Sequence, residues 1–345
     1  MLKKGLIQVY TSRSDRINFA PFGLALRAAG QELRVHMTSL LPHEWPEGAM
    51  TASRYLKPNL VIHPSSLELS APFGQWSKSQ ANRMRRAFEE ARKALLGGEF
   101  DLVILNGIHP LCSLDVIALD DVLSLMREKP DHVELVLEGQ GAHQKVVEGA
   151  ALVTEMVCTE IRAEQDRADK MNVREPAEVV TGNGKGKTTY CLGKAMLMSA
   201  TGIRSTVLQF IKSPMRYGEV KAIERLPNLD IRSMGKGFVE LGAPTPKREH
   251  LEAARQTWEK CLREIFSLKY GLVILDEINI ATHYGLVKPE RVREMMFLKP
   301  RELHLILSGR NAHEEVRQQA SVTVEMREIK HPFQKGIKAR KGIEF

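Results

Sequence analysis

The segment TGNGKGKTT, Thr181–Thr189, concentrates three glycines, two lysines and three hydroxyls in nine residues. Binding of phosphates asks for that combination. Gly182, Gly184 and Gly186 let the backbone curl with its N–H groups turned inward, Lys187 reaches terminal phosphates as a mobile cation, and Thr188 offers a hydroxyl to Mg2+. Asn183, Lys185 and Thr189 complete the cradle. The strict G-x-x-x-x-G-K-[ST] spacing would begin at residue 181, where Thr181 stands, so the match is a variant. A glycine-rich turn kept soluble by lysines is the bland alternative, but such a turn needs neither an apolar strand before it nor a helical stretch after it. Further along, the apolar run Leu272–Leu275 ends in Asp276 and Glu277. A phosphate loop requires carboxylates at the carboxyl end of a strand to hold its metal ion, whereas a solvated turn does not call for two in succession. Together the two segments predict binding of a magnesium nucleoside triphosphate.

A sheet must bring these segments side by side, and the chain is organised to build one twice. Self-comparison gives similarity at an offset of 170 residues, so two copies nearly exhaust the 345 residues. Leu102–Leu105 falls on Leu272–Leu275, Gly23 on Gly193, Gly139 on Gly309, His143 on His313 and Met156 on Met326. Short apolar runs alternate with stretches of helical period, the pattern of a parallel sheet covered by helices on both faces. In the second copy, strands are expected at 177–180, 205–211, 229–233, 271–275, 303–307 and 321–325, with helices at 187–200, 247–267, 289–297 and 312–320. The predicted fold is α/β: two tandem P-loop-type, RecA-like domains, each a mainly parallel sheet flanked on both faces, packed as an internal pseudo-dimer. Residues 1–161 form a degenerate domain without a functional P-loop, 162–176 a polar connecting segment, and 177–345 the ATP-binding domain. The length also predicts two cores, at about 150 residues per domain.

The first copy has lost the phosphate chemistry. Opposite Gly182, Gly184, Lys185, Gly186, Lys187 and Thr188 stand Ser12, Ser14, Asp15, Arg16, Ile17 and Asn18, and Asn106 and Gly107 replace Asp276 and Glu277. No Mg-ATP binding of the P-loop kind is expected there.

Composition narrows the class. With 43% hydrophobic and 27% charged residues the chain is that of a soluble globular protein. No apolar run approaches the ~20 residues of a membrane span, and the opening residues lack a signal peptide, so a cytoplasmic location is expected. Cys112, Cys158, Cys191 and Cys261 form no C-x-x-C pair, which predicts buried small hydrophobes rather than a zinc site or disulfides. His143 and His313 have no second ligand at metal spacing and are read as structural, and Met196, Met198, Met295 and Met296 as core filler. The net charge of +8 favours anionic partners. Without an arginine-rich run, an RNP-like motif or zinc-finger spacing, nucleic acid is not expected among them.

These segments, with VEMREIKHPF (Val324–Phe333) and ARKGIEF (Ala339–Phe345), resemble the P-loop type ATP:cob(I)alamin (corrinoid) adenosyltransferases of cobalamin biosynthesis. The likeness covers 177–345 through the TGNGKGKTT loop, QFIK (Gln209–Lys212), Gly218 with Glu219, GKGF (Gly235–Phe238), LDEIN (Leu275–Asn279), SGR (Ser308–Arg310) and the tail, whereas a generic P-loop protein shares only the loop. The first copy carries a trace of it in GLALRAA, Gly23–Ala29. The resemblance implies transfer of the 5′-deoxyadenosyl group of ATP to the cobalt of a reduced corrinoid, with Mg2+ as cofactor and triphosphate as leaving group. By motif position it places Gly182 to Thr189 on the triphosphate, Thr188 and Glu277 on Mg2+ with Asp276 supporting, Phe238 against the corrin, and Arg310 and Asn279 in orienting nucleotide or substrate. Lys187, Glu277 and Arg310 are the residues it makes catalytic. An Asn opening a helix also serves as a cap, and an Arg after a strand as a solvated group. The basic tail is expected to be ordered near the ATP site.

One position departs from the family pattern. Similar members read Gly-x-Gly-Phe-x-Trp, the two aromatics pressing on the lower face of the corrin to expel its axial base, but Glu240 stands at the place of the Trp. A corrinoid lacking the lower base would not need that second aromatic. The resemblance further implies an electron donor such as a flavodoxin or a flavin reductase, and a fused pair standing in for a homodimer, so that a monomer suffices. The first copy then serves as scaffold, as a wall of the corrin pocket, or as a docking surface. Two other functions fit parts of the sequence: a non-catalytic ATP-responsive binding module, and an ordinary ATP hydrolase or kinase. The family tail and the acidic pair weigh against the first, and the family tail against the second.

Overall fold

The computed structural model describes residues 2–14, 16–41, 46–64, 74–160, 177–211, 218–234, 248–332 and 336–344. The first half runs β1 (Ile7–Ser12), α1 (Ala20–Gly30), β2 (Val35–Ser39), α2 (Ala49–Tyr55), β3 (Leu60–His63), α3 (Lys78–Leu96), β4 (Leu102–Asn106), α4 (Ile108–Ser113), α5 (Leu119–Glu128), β5 (Glu134–Gln140), α6 (Gln144–Gly149) and β6 (Leu152–Glu160). The second repeats it: β7 (Ala177–Thr181), α7 (Lys187–Ala200), β8 (Ser205–Gln209), α8 (Gly218–Ile223), β9 (Leu229–Ser233), α9 (Arg248–Ile265), β10 (Leu272–Asp276), α10 (Ile278–His283), α11 (Pro289–Leu298), β11 (His304–Ser308), α12 (Glu314–Gln319) and β12 (Val322–Lys330). The expected connecting segment 162–176 lies outside the described residues.

Continuous apolar runs such as LVIL in β4 and β10 are buried along their whole length, as central parallel strands must be. The two expected sheets are in fact one. Twelve strands pair in the order β3-β2-β4-β5-β1-β6-β12-β7-β11-β10-β8-β9. The seam is β6 against β12, antiparallel, while the neighbours on both sides pair in parallel. Each is the edge strand of its own half, so pairing covers two rows of backbone donors and acceptors that would otherwise lie open. This also lengthens the last strand, which continues to Lys330 rather than stopping at Glu325.

The halves share a core as well as a sheet. On one face Phe22, Leu26 and Tyr10 of the first half and Tyr190, Met196 and Leu197 of the second belong to a single apolar cluster. On the other face each half keeps its own cluster. Two cores were expected; the third, shared one exists because α1 and α7 pack directly on each other. Their crossing is made by glycines at matched positions. A Cβ on Gly23 would stand 1.8 Å from the Thr189 carbonyl oxygen, and one on Gly193 2.1 Å from that of Phe19. Met156 lies opposite Met326 in the seam. Both pairs are related by the offset of 170 residues, so a pseudo-two-fold axis relates the halves through these two contacts.

His143 and His313 are structural, as expected: each Nδ1 accepts a backbone N–H two residues on, from Lys145 at 3.2 Å and Glu315 at 3.4 Å, starting α6 and α12. Cys191 and Cys261 are buried, but Cys112 and Cys158 are only half-buried, which corrects the reading of all four as interior residues. Among the described residues no helix is long and apolar enough to cross a membrane.

Candidate active site

The loop after β7 rests on the seam strand. The Gly184 N–H donates to the Met326 carbonyl at 2.7 Å, and Gly182 packs so closely there that a Cβ would lie 2.3 Å from the same oxygen. Gly186 precedes α7 with φ of 111°, which only glycine adopts without strain. It also faces the first half: a Cβ would lie 3.2 Å from Tyr10 Cε1 and 3.4 Å from the Ala20 Cβ. The degenerate half thus forms part of the loop's floor, and nothing in its own sequence announced Tyr10 or Ala20 for that place.

Lys187 bends back over the loop, its Nζ donating to the Gly184 carbonyl at 2.7 Å. Burial, reinforced by the Arg310 charge, holds its ammonium down from 10.5 to about 8 against the opposing pull of Glu277 and Asp276. Asp276 is completely buried at the end of β10 and accepts from Ser308 Oγ at 2.6 Å, Thr188 Oγ1 at 3.2 Å and Gln209 Nε2 at 3.3 Å. Strands β8, β10 and β11 are neighbours, so Gln209, Asp276 and Ser308 meet at their carboxyl ends. Ser308 and Gln209 were legible only as motif members, without a role.

Glu277 begins α10 with φ of 68°, a left-handed backbone at a residue with a Cβ. Such a conformation costs about 1–3 kcal/mol and persists where the surroundings or a function require it. Its backbone N–H donates to Ser308 Oγ at 3.3 Å. At the matched position of the first half the strain is absent, because Gly107 takes the same conformation. Asn279, expected to orient nucleotide or substrate, is 2% exposed, and its amide donates to the carbonyls of Val180, Leu307 and Gly309 at 3.3–3.4 Å. It ties the ends of β7 and β11 together beneath the loop. Arg310 is exposed and reaches the Asn183 carbonyl from Nη2 at 3.4 Å. The structure therefore brings together Gly182 to Thr189, Asp276, Glu277 and Arg310. Lys212, Phe238, Glu240 and Phe333 lie outside the described residues.

The tail does return to the site, as expected, through Glu344 Oε1 and Lys185 Nζ at 3.2 Å. At the matched place in the first half Ser12, Ser14, Arg16, Asn18, Asn106 and Glu138 line a small crevice. Asn18 Oδ1 caps α1 by accepting from the Ala20 N–H at 3.0 Å, and Glu138 adds a carboxylate where the second half has Ser308. No lysine is left for a triphosphate there.

A model of the family "ATP:corrinoid adenosyltransferase BtuR/CobO/CobP" matches the chain twice, over residues 3–171 and 174–345. The chain belongs to this family. Both halves are members, so the degenerate one descends from the same unit as its partner. A corrinoid adenosyltransferase of Sinorhizobium sp. is 38% identical over 48% of this chain and 78% of its own length, and one of Escherichia coli K12 is 33% identical over 48% and 84%. An uncharacterised protein of Nostoc sp. is 27% identical over 99% of this chain and 95% of its own. The tandem arrangement is therefore found in a second protein of matching length, whereas the named relatives align with one half.

Proposed function

We propose that the second half transfers the 5′-deoxyadenosyl group of ATP to a reduced corrinoid. The Co(I) electron pair of the substrate attacks C5′, the C5′–O bond breaks, and its electrons leave with triphosphate while the cobalt becomes formally Co(III). The observation that carries this reading is the loop Gly182–Thr189 set against Asp276 and Ser308 in a chain of the corrinoid adenosyltransferase family. The chain's own groups prepare for it. Lys185, Lys187 and Arg310 provide positive charge for the departing triphosphate, whereas the Gly184 N–H, expected to turn inward, is taken by the Met326 carbonyl. Asp276 orients Thr188 through a 3.2 Å hydrogen bond, and Asn279 acts as a positioning residue beneath the loop.

The residues also fit Mg2+. Thr188, Asp276 and Glu277 offer hard oxygen donors only, and among the described residues no cluster of three or more His, Cys, Asp or Glu could hold a metal by itself. That suits an ion held by one or two carboxylates together with substrate phosphates. Thr188 and Glu277 would hold it, with Asp276 supporting, and when bound it supplies charge neutralisation to the phosphates.

The test is anaerobic incubation with Mg-ATP and chemically reduced cobalamin or cobinamide, following the light-sensitive Co–C product by absorbance and triphosphate by chromatography. Adenosylated product is expected from wild type, and Lys187→Ala is expected to lower the rate by about 10²–10³. A preference for cobinamide would accord with Glu240 in place of the second aromatic. ATP binding without product from either corrinoid would overturn the proposal in favour of a nucleotide-responsive module.

A further inference from the structure

The C-terminal tail belongs by sequence to the second half but is held by the first. Arg340 makes a two-pronged pair with Glu134 at the start of β5, Nη1 to Oε2 at 2.6 Å and Nη2 to Oε1 at 2.9 Å. Glu134 is fully buried and also accepts from the Leu6 N–H at 2.6 Å and Gln8 Nε2 at 2.5 Å, so its carboxylate is fixed from its own side as well. Arg27 on α1 donates to the carbonyls of Ile343 and Glu344 at 3.2 and 3.0 Å, and Ile343 is sunk in the shared core. Anchored in this way, the tail folds back on itself. The Arg340 N–H donates to Glu344 Oε2 at 2.7 Å and Arg340 Nη2 to Glu344 Oε1 at 3.1 Å. The same Oε1 accepts from Lys185 Nζ at 3.2 Å. Lys185 is part of the phosphate loop.

The matched residues of the second half show what has changed. There Glu178 on β7 is answered from within its own half, by Lys194 Nζ at 2.5 Å, Tyr190 OH at 2.7 Å and His304 Nε2 at 3.3 Å. In the first half Gln8 stands for Glu178, Leu24 for Lys194 and Glu134 for His304. The first half has thus moved its buried carboxylate to β5 and given up the helix lysine, and the guanidinium that meets the carboxylate comes from the tail. A buried carboxylate without a cation is costly, so Glu134 and Arg340 bind the tail to the first half strongly.

We propose that the degenerate half acts on the nucleotide site through this tail: Glu134 fixes Arg340, Arg340 fixes Glu344, and Glu344 sets the position of the Lys185 ammonium. The inference rests on the reading of the loop as a triphosphate cradle. A long, flexible lysine already held at the loop loses less freedom when the nucleotide arrives, and binding gains accordingly. Glu134, Arg340 and Glu344 are positioning residues and touch no reacting atom.

The experiment is a double-mutant cycle in the full chain, read by calorimetric titration with Mg-ATP. Glu344→Gln and Glu134→Gln are each expected to weaken binding about fivefold, the order of one charge-assisted hydrogen bond. Arg340→Lys keeps the charge but loses the planar fork, and the same loss is expected from it if Glu134→Gln does not fold. In a Lys185→Ala background none of the three should weaken binding further. A merely structural role predicts equal losses in both backgrounds, and that result would overturn the inference, as would unchanged or tighter binding in Glu344→Gln. Failure of the wild-type protein to bind Mg-ATP would instead overturn the triphosphate reading itself, and with it this inference.

Discussion

At the scale of single residues the site is built against its own stability. Lys187 has its ammonium held down to about 8 by burial and Arg310. Because the folded value lies below the unfolded 10.5, the folded chain binds fewer protons between about pH 8 and 10.5, and stability rises with pH across that window. Below pH 8 the charged lysine is a cost. Lys187→Met is therefore expected to raise the unfolding free energy of the nucleotide-free protein at pH 7 by roughly 1–2 kcal/mol, a gain that disappears above about pH 10 in urea titrations. The KM for Mg-ATP should rise above pH 8, where the cation is lost. Glu277 offers a second case. Replacing it by the glycine of the first copy, Glu277→Gly, relieves the left-handed backbone and is expected to stabilise the chain by up to about 1 kcal/mol while abolishing activity. Loss of both stability and activity would argue that the carboxylate carries structure. Lys187, Asp276 and Glu277 were legible in the sequence because their chemistry is written in contiguous residues. Ser308 and Tyr10 reach the site from other strands, and only the register of the sheet brings them there.

At the scale of elements, the ends of strands and helices were read from periodicity to within a few residues wherever the apolar pattern was long, as in α7 and β10. Helix α10 was missed because six residues complete fewer than two turns and leave no period to detect. The seam was missed for another reason. The second part of β12, MREIK, is polar, and it is a strand only because β6 supplies its hydrogen-bonding partner. The helix crossing was half legible: Gly23 and Gly193 were matched by the repeat, but only the structure shows that each lets a carbonyl of the opposite helix approach. Gly193→Ala places a methyl against the Phe19 carbonyl and should cost about 2–3 kcal/mol, the range of an overpacked core, in denaturant titrations. Since α7 begins at the phosphate loop, the same substitution should also weaken Mg-ATP binding. A loss of stability below about 0.5 kcal/mol would mean that the helices part without resistance.

At the scale of the molecule, duplication has produced a chain in which each half leans on the other. The phosphate loop needs Tyr10 and Ala20 beneath Gly186, the tail needs Glu134 and Arg27, β12 needs β6, and the residues Tyr190, Met196, Leu197, Ile223 and Met326 lie in the cluster shared with the first half. A large apolar side chain returned to water costs about 1.5–3 kcal/mol. Several together equal the whole net stability of a domain, about 5–15 kcal/mol. The second half alone, residues 177–345, is therefore not expected to keep its fold as a monomer, although it carries the phosphate loop, the acidic pair and the family tail. It has one way to recover what it lost. Its exposed β12 can pair antiparallel with β12 of a second copy, and α7 can cross α7 at Gly193, since the same contacts already relate the two halves by a pseudo-two-fold. Sedimentation equilibrium of this fragment is expected to show a dimer or larger assemblies, with Mg-ATP binding confined to the dimer. A folded monomer that binds Mg-ATP as tightly as the full chain would mean that the first half is dispensable to the site, and that its contacts with the loop and tail carry no energy.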